Sequence, residues 1–230
     1  MYVYKMKTIV IVLGILVISL LYVLLKYYSG NGSLKLVTMT SLKTGNSAIS
    51  VSNLSSSTRY ALGIWVYVNS WDTNKIKTIY SMPGKVVLYL DSMRPAMNVD
   101  FYMKGNVKPT TICITENFPL QKWVYVTVSV DNSFADLYID GKMIKSAKLD
   151  GIQSDATDAN IYLGGNPATF NDIVVARFFK WGNPLSLSEV WNEYLKGNGS
   201  SNAFYKMMSS YGVNINVLKD NVKTGTYTLF

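Results

Sequence analysis

The sequence predicts an all-β fold, an antiparallel β-sandwich with one short helix, preceded by a single N-terminal transmembrane helix. Three observations support this prediction: an uncharged apolar run near the N-terminus, a series of short strand-like runs broken by turn residues, and a composition rich in tyrosine, with 17 residues. We place the anchor and its short basic flank at 1–28, a flexible linker at 29–33, the sandwich at 34–197 and a tail at 198–230, which we expect to dock on the domain or on a partner.

The anchor is predicted from residues 8–25, TIVIVLGILVISLLYVLL, which hold no charge. As an α-helix this run spans roughly 27 Å, close to the hydrocarbon thickness of a bilayer. Lysines and tyrosines flank it and no small-residue cleavage pattern follows, which favours an uncleaved anchor over a signal peptide. Lysines on both sides leave the orientation open. We therefore expect lipid contact from Thr8, Ile9, Leu13, Leu16, Leu20 and Leu25.

The strands are predicted from period-two alternation. In the stretch 123–130, four valines at even positions share one face, and an Asp140-Gly141 hairpin turn follows a return strand. The other predicted strands are Leu34–Thr40, Ala48–Ser52, Tyr60–Val68, Lys77–Met82, Val86–Leu90, Met97–Met103, Thr110–Thr115, Met143–Leu149, Ile161–Leu163 and Ile173–Trp181.

One helix is predicted after the last of these strands. Ser186 and Glu189 have the spacing of a capping box, and Gly197 is a stop signal. Its expected apolar side consists of Val190, Trp191, Tyr194 and Leu195. In the tail, the sequence favours a short helix at Ala203–Tyr211 and a strand at Thr226–Phe230.

Three blocks of sequence motifs occur in the same order as in a known protein family, which this chain therefore resembles. They are LGIWVYV at 62–68; WVYVTV at 123–128 with LYIDGK at 137–142; and IYLGG at 161–165 with ARFF at 176–179 and PLSLSEV at 184–190. Together they resemble the concanavalin A-like jelly-roll family, in its laminin G/pentraxin-like branch, over about residues 34–197. The resemblance implies a jelly roll in which Trp65, Trp123 and Trp181 fill the sandwich.

The composition excludes several functions. The chain has no histidine, and its glutamates, Glu116, Glu189 and Glu193, do not form the E-x-D-x-E pattern of glycan-hydrolysing relatives, so we expect no enzymatic activity. The net charge of +8 is spread without a dense basic stripe, which argues against nucleic acid as a partner. The single cysteine, Cys113, permits no intrachain disulfide and is read as a small buried hydrophobe.

Candidate binding residues are few. Many relatives bind calcium through loop oxygens, and Asp155, Asp158 and Asn160 are candidate ligands, with Asp172 as a further one. These aspartates have an alternative reading as solvated turn residues. Relatives commonly carry G-x-I-D-E where this chain has Asp172-Ile173-Val174-Val175, a departure that argues against transferring the site. Trp71, Tyr102 and Tyr125 are candidate contacts for a glycan or a protein partner.

Two functions stay open. The first is a non-enzymatic, single-pass membrane protein that resembles virion membrane or minor capsid proteins of large DNA viruses. It would tether an internal virion membrane to a shell of capsid-type proteins. The alternative is a membrane-anchored, lectin-like adhesion protein that binds glycans, with or without calcium. A fold alone does not choose between them.

Overall fold

A computed structural model describes residues 13–24, 33–44, 48–51, 54, 56–199, 214–219 and 222–228, the last two ranges by their backbone. The chain divides into two compact units, Met1–Ser33 and Leu34–Phe230. The predicted sandwich falls within the second unit.

In the first unit, residues 13–24 form a helix, α1, whose apolar side chains are exposed. At 1.5 Å per residue, α1 is about 18 Å long. Within the described ranges, no helix combines the length and the apolar character needed to cross a membrane. Of the predicted anchor residues, Leu13, Leu16 and Leu20 lie in α1, whereas Thr8, Ile9 and Leu25 lie outside the described residues.

The second unit is built from strands, as predicted. In chain order they are β1 (Ser33–Ser41), β2 (Ala48–Ser50), β3 (Arg59–Val68), β4 (Lys77–Met82), β5 (Val86–Leu90), β6 (Met97–Phe101), β7 (Thr110–Thr115), β8 (Trp123–Asp131), β9 (Phe134–Ile139), β10 (Lys142–Lys148), β11 (Asn160–Leu163) and β12 (Ile173–Trp181). Helix α2 (Leu187–Leu195) follows.

The tail contains a hairpin that the sequence predicts only in part. Strand β13 (Asn214–Lys219) pairs antiparallel with β14 (Val222–Thr228). The predicted terminal strand overlaps β14, whereas β13 was not predicted, although Gly212 precedes its run Asn-Ile-Asn-Val-Leu-Lys and Asp220-Asn221 follows it. The predicted helix at Ala203–Tyr211 lies outside the described residues.

In the described part of the second unit, β1 to β12 form two six-stranded sheets. Sheet A has the order β1-β12-β3-β8-β9-β10 and sheet B the order β2-β11-β4-β5-β6-β7. In sheet A, β3 lies between β8 and β12 and pairs antiparallel with both. Strands that are neighbours in a sheet but far apart in the sequence are typical of a jelly roll. The predicted sandwich is therefore confirmed.

Alternation along the strands divides the side chains between two apolar clusters. Val124, Val126, Val128 and Val130 face the space between the sheets, as predicted. Positions of the other parity form a second cluster on the outer face of sheet A, under α2: Ala61, Trp65, Tyr125, Tyr138, Ala176, Trp181, Leu185 and Val190. Trp65 and Trp181 are therefore buried, but under α2 and not between the sheets, and Trp123 is only half-buried against the same cluster.

The β9–β10 turn has the predicted geometry. Ile139 pairs with Lys142, and the two residues between them have positive φ, 48° at Asp140 and 77° at Gly141. Two successive positive φ values define a type I′ turn, which matches the twist of the hairpin. The Asp140 carboxylate also accepts a hydrogen bond from the Tyr125 backbone amide at 2.9 Å, which joins the turn to β8.

Helix α2 begins at the predicted capping box. Ser186 Oγ accepts from the Glu189 amide, and the Glu189 carboxylate accepts from the Ser186 amide at 2.7 Å. Val190 is buried against sheet A and Tyr194 stacks on Trp65 with 5.6 Å between ring centroids. Trp191 and Leu195 are exposed, so the prediction that all four residues face the domain is wrong for these two.

A buried lysine lies in the turn between β4 and β5. Lys85 is fully buried, its ammonium donates to the Ser154 carbonyl at 3.3 Å, and it lies 5.6 Å from the Tyr60 ring centroid. Burial lowers the pKa of Lys85 to about 8, an effect that the charge of Asp155 opposes. The charged form is therefore less stable in the folded state than in the unfolded chain.

We expect Gly141→Ala to lower the free energy of unfolding by about 2–4 kcal/mol, combining the cost of a left-handed backbone with that of overpacking. A Cβ there would lie 2.7 Å from Trp191 Cε3. Gly105→Ala is the matched control, because Gly105 has a similar φ of +82° but no atom within 4 Å of the added Cβ. Urea unfolding of the full chain measures both variants, and equal losses would contradict the close contact between the turn and α2.

We expect the stability of the wild-type chain to rise between about pH 8 and pH 9.5 relative to that of Lys85→Met, by about 1–2 kcal/mol. The folded pKa of Lys85 is lowered, so the unfolded state binds more protons in this window and stability increases with pH. Unfolding midpoints of the two proteins across this range provide the measurement. Parallel pH profiles would contradict the burial of a charged lysine.

Candidate functional site

Three loops meet at one end of sheet A because their strands are neighbours there. Ile173, which begins β12, pairs with Val68, which ends β3. The Leu42 amide donates to the Ile173 carbonyl at 2.8 Å, and the Asn69 amide donates to the Asp172 carbonyl at 3.0 Å. Between the loops lies a pocket of about 250 Å³, here named the loop pocket, lined by Lys43, Ser70, Asp72, Lys75, Lys77, Phe170, Asn171 and Asp172.

Asp172 joins the three loops. One carboxylate oxygen forms an ion pair with Lys43 Nζ at 2.9 Å. The other accepts hydrogen bonds from Ser70 Oγ at 2.8 Å and Asn69 Nδ2 at 2.9 Å. The bonds from Lys43, Ser70 and Asn69 hold the pKa of Asp172 below its usual range. Asp172 therefore stays ionised at neutral pH and orders the pocket wall.

The lysines on the opposite wall are also engaged. Lys75 Nζ donates to the Phe170 carbonyl at 2.8 Å and lies 3.7 Å from the Asp72 carboxylate. Lys77 is buried, and its ammonium donates to the backbone carbonyls of Lys75 at 2.9 Å and Asp91 at 3.3 Å. Burial lowers the pKa of Lys77, and these carbonyls offset part of the cost of the buried charge.

Asn171 is the lining residue whose hydrogen bonding is incomplete. It is 3% exposed, its amide nitrogen donates to Thr169 Oγ1, and its side-chain oxygen Oδ1 has no partner among the described residues. A buried acceptor without a donor costs about 1–3 kcal/mol. Asn171 is among the residues that line the loop pocket, but Oδ1 itself exposes less than 1 Å² to solvent.

Phe170 supplies an exposed aromatic ring beside Asn171. Its side chain is 56% exposed. Its backbone φ is +39°, which lies in the left-handed region that residues other than glycine rarely adopt. Backbone strain of this kind costs of the order of 1–3 kcal/mol and persists where the surroundings impose it. The bond from Lys75 to the Phe170 carbonyl and the pairing of Asp172 next to it provide that constraint.

The loop pocket therefore offers hydrogen-bond acceptors, ammonium groups and one aromatic face. Its eight lining residues include three lysines and two aspartates, so their charges nearly balance. It has no histidine, because the chain has none, and cysteine is absent from its lining. Such a pocket is suited to holding a neutral or weakly charged polar ligand.

The structure does not bring the three predicted contact residues together. Tyr125 is buried in β8 under α2, and burial raises its pKa, so its prediction as an exposed contact is wrong. Trp71 adjoins the loop pocket but is half-buried, with the Lys77 ammonium 3.9 Å from its ring centroid. Tyr102 lies after β6, half-buried, with its pKa raised by burial and by Asp100.

The predicted calcium ligands have other partners. Asp155 pairs with Lys104 at 3.1 Å. The Asp158 carboxylate accepts from the Asn160 amide and from the Tyr162 hydroxyl, both at 2.9 Å. Over the described ranges, no group of three or more Asp, Glu or Cys side chains could hold a metal ion. These contacts favour the alternative reading of these residues as turn residues.

A second polar surface lies on the outer face of sheet B. Asp100 Oδ1 accepts hydrogen bonds from Thr111 Oγ1 at 2.7 Å and from the Tyr89 hydroxyl at 3.2 Å. Burial and the charge of Asp100 raise the pKa of Tyr89 to about 12. Because the polar atoms of Tyr89 and Thr111 already bond to Asp100, this surface is less prepared for a ligand than the loop pocket.

Sequence reasoning identified Asp172 but not Phe170 or Asn171. The stretch Phe-Asn-Asp just before β12 carries the local signal, an aromatic and two side chains that favour turns ahead of a strand. That signal does not reveal that Asn171 Oδ1 lacks a partner, because its surroundings come from β1 and the β3–β4 loop.

The comparisons with known proteins identify the same fold. Residues 43–190 match the family model described as the Concanavalin A-like lectin/glucanases superfamily. Comparison with curated protein sequences finds no match. Among solved structures, the binding domain of botulinum neurotoxin serotype D is similar with a TM-score of 0.58 and 16% identity, over 73% of this chain and 47% of that chain.

Two further structures give the same result. The ligand binding domain of botulinum neurotoxin serotype D in complex with N-acetylneuraminic acid has a TM-score of 0.55 and 15% identity, over 73% of this chain and 47% of that one. The botulinum neurotoxin type G receptor binding domain has a TM-score of 0.50 and 20% identity, over 71% and 50%. This chain spans half or less of the length of these domains, and such low identity shows the fold alone.

The family match covers more than half of the chain and includes β2 to β12 and the start of α2. The predicted jelly-roll resemblance is thereby confirmed, and the chain belongs to the concanavalin A-like lectin/glucanases superfamily.

Proposed function

We propose that this chain is a membrane-anchored, non-enzymatic carbohydrate-binding protein whose loop pocket holds one sugar ring. The observation that carries the proposal is the buried, unpartnered Asn171 Oδ1 on the wall of a polar pocket. This oxygen exposes less than 1 Å² to solvent, so the Asn171 side chain would rotate on binding; a sugar hydroxyl would then donate to the oxygen and remove the cost of leaving it unsatisfied. The pocket volume of about 250 Å³ is below the roughly 300–1,000 Å³ of sites for larger ligands, which suits a single ring.

The aromatic ring at the pocket rim also favours a sugar. Pyranose rings present a face of C–H groups that pack on aromatic side chains, and Phe170 is an exposed ring beside the hydrogen-bonding groups. The ammonium of Lys43 is already paired with Asp172, and that of Lys75 with the Phe170 carbonyl. A neutral or weakly acidic sugar is therefore a better match than a highly charged anion.

The anchored state is proposed from the sequence of residues 8–25 and from the apolar side chains that α1 exposes. β1 begins at Ser33, the last residue of the predicted linker, and its other end leads into Lys43 of the loop pocket. Nine strand residues separate these ends by about 30 Å. An anchored domain of this design has its binding loops at the end of β1 away from the point where the chain enters it.

The neurotoxin binding domains support the proposal only through their fold. The serotype D domain was solved in complex with N-acetylneuraminic acid, and the binding domain of botulinum neurotoxin DC in complex with rat synaptotagmin II. Since this chain spans less than half of each of these two, those ligands do not locate a site here. The tether between a virion membrane and capsid-type proteins, the lack of enzymatic activity and the lack of nucleic-acid binding stay predictions.

We expect the full chain, in detergent or nanodiscs, to bind a subset of sugars on a glycan array. Phe170→Ala and Asn171→Ala should each weaken the binding of a selected glycan by about 3- to 10-fold, because each removes one contact of about 0.5–1.5 kcal/mol. Titration calorimetry provides the measurement.

Phe134→Ala is the matched control, because Phe134 is exposed to a similar extent, 52%, but lies on β9 away from the pocket lining. This variant should bind as the wild type does. Glycan binding that Phe170→Ala and Phe134→Ala leave equally intact would place the sugar elsewhere, and absence of binding to any sugar on the array would refute the proposed function.

A further inference from the structure

Helix α2 carries an apolar stripe that nothing in the described part of the chain covers. Leu187, Trp191 and Leu195 are spaced four residues apart and so lie on one side of the helix. Their side chains are between 41% and 57% exposed, whereas Val190 on the adjoining side of the helix is buried. A helix that buries one side usually exposes polar groups on the other, so this second apolar side needs an explanation.

The stripe continues onto the edge of sheet A. Trp191, Leu187 and Met143 line an open, mostly apolar groove of about 550 Å³, together with Gly141, Lys142 and Ser188. Ile144 follows Met143 on β10 and is also about half exposed. We call the surface formed by Met143, Ile144, Leu187, Trp191 and Leu195 the edge patch.

The edge patch is bordered by lysines. Lys142, Lys145 and Lys148 of β10 are all exposed, and none of them forms an ion pair within the described residues. Asp136, opposite Ser146, is the single acidic residue on β9 and β10. On α2, Glu193 is paired with Lys196 and the Glu189 carboxylate is bonded to Ser186. The surface is therefore apolar at its centre, and the edge strand beside it carries three exposed lysines.

Strand pairing with a partner is disfavoured at this edge. The register of β10 shifts between Met143 and Lys145, which indicates a bulge at Ile144. Bulges and lysines are the features by which edge strands resist pairing with other strands. The groups left to make contacts are thus side chains and not the backbone of β10.

We propose that the edge patch lies on the surface of a bilayer that contains anionic lipids. Aliphatic side chains and a tryptophan enter the interface between headgroups and acyl chains, where tryptophan is favoured. The three lysines then extend toward anionic headgroups, and each contributes about 1 kcal/mol near such a surface. A protein partner would also cover the apolar groups, but it would not by itself explain the row of unpaired lysines.

In the native protein, the contact between the edge patch and a bilayer rests on the membrane anchor proposed above. An anchor at residues 8–25 would tether the chain to a bilayer surface. Tethering raises the effective concentration of that surface, so that a weak contact suffices.

The test uses the full chain in nanodiscs of phosphatidylcholine, with or without phosphatidylserine. Cys113→Ser removes the native cysteine, and Ser146→Cys, an exposed position on β10, carries a nitroxide label. Relative collision rates with oxygen and with a water-soluble nickel complex report whether the label lies in lipid. A label at Met93→Cys, a highly exposed residue between β5 and β6, is the control for a site in water.

We expect the Ser146→Cys label to enter lipid only in discs with phosphatidylserine and the Met93→Cys label to stay in water in both. Ile144→Ser, or Lys145→Glu with Lys148→Glu, should return the first label to water. A label that stays in water in the anionic discs would overturn the proposal. So would a label that enters lipid equally without phosphatidylserine, or one that is immobilised without contact with lipid, which would indicate a protein partner.

A chain whose anchor does not insert into the bilayer is recognised separately, because it does not elute with the nanodiscs in size-exclusion chromatography. In that case anionic vesicles are added to the labelled chain, and the same label reports on the patch alone. Binding to these vesicles should fall by at least about 30-fold with Lys145→Glu and Lys148→Glu together. Unchanged vesicle binding in this double variant would also overturn the proposal.

Discussion

The antiparallel pairing of β12 with β3, which sets Ile173 opposite Val68, is the constraint on which the rest of the structure depends. It places the apolar side chains of both strands between the sheets and closes sheet A around its central strand. The same pairing brings Asp172 beside Asn69 and Ser70, one residue beyond the last paired positions. A register shift of one residue would turn the core face outward and would also separate the groups that form the loop pocket.

The two faces of sheet A have different roles because their side chains alternate. One face packs against sheet B, and the other holds the aromatic cluster of Trp65 and Tyr125 under α2. Gly63 lies in this second face, where an added Cβ would overlap the Tyr125 hydroxyl. Helix α2 is therefore a third layer fixed by aromatic packing and by its capping box, and its far side forms the edge patch.

The sequence was sufficient to predict the strands, the Asp140-Gly141 turn and the capping box. Side-chain alternation, the need for positive φ and helix capping all depend on residues close together in the chain. It was insufficient for Tyr125, Trp191 and Leu195, whose burial depends on where α2 lies on the sheet. The loop pocket was predictable only through Asp172. Phe170 and Asn171 acquire their properties from loops more than 90 residues away in sequence, and alternation carries no information on such contacts.

The central claim is that an unsatisfied oxygen in an ordered loop pocket marks where this lectin-fold domain binds sugar. A crystal structure of the full chain with a glycan selected on the array tests it most directly. The account predicts a sugar ring in the loop pocket, with a hydroxyl within hydrogen-bonding distance of Asn171 Oδ1 and one face on Phe170. Sugar density on the outer face of sheet B, over Tyr89 and Asp100, with the loop pocket holding only water, would contradict it.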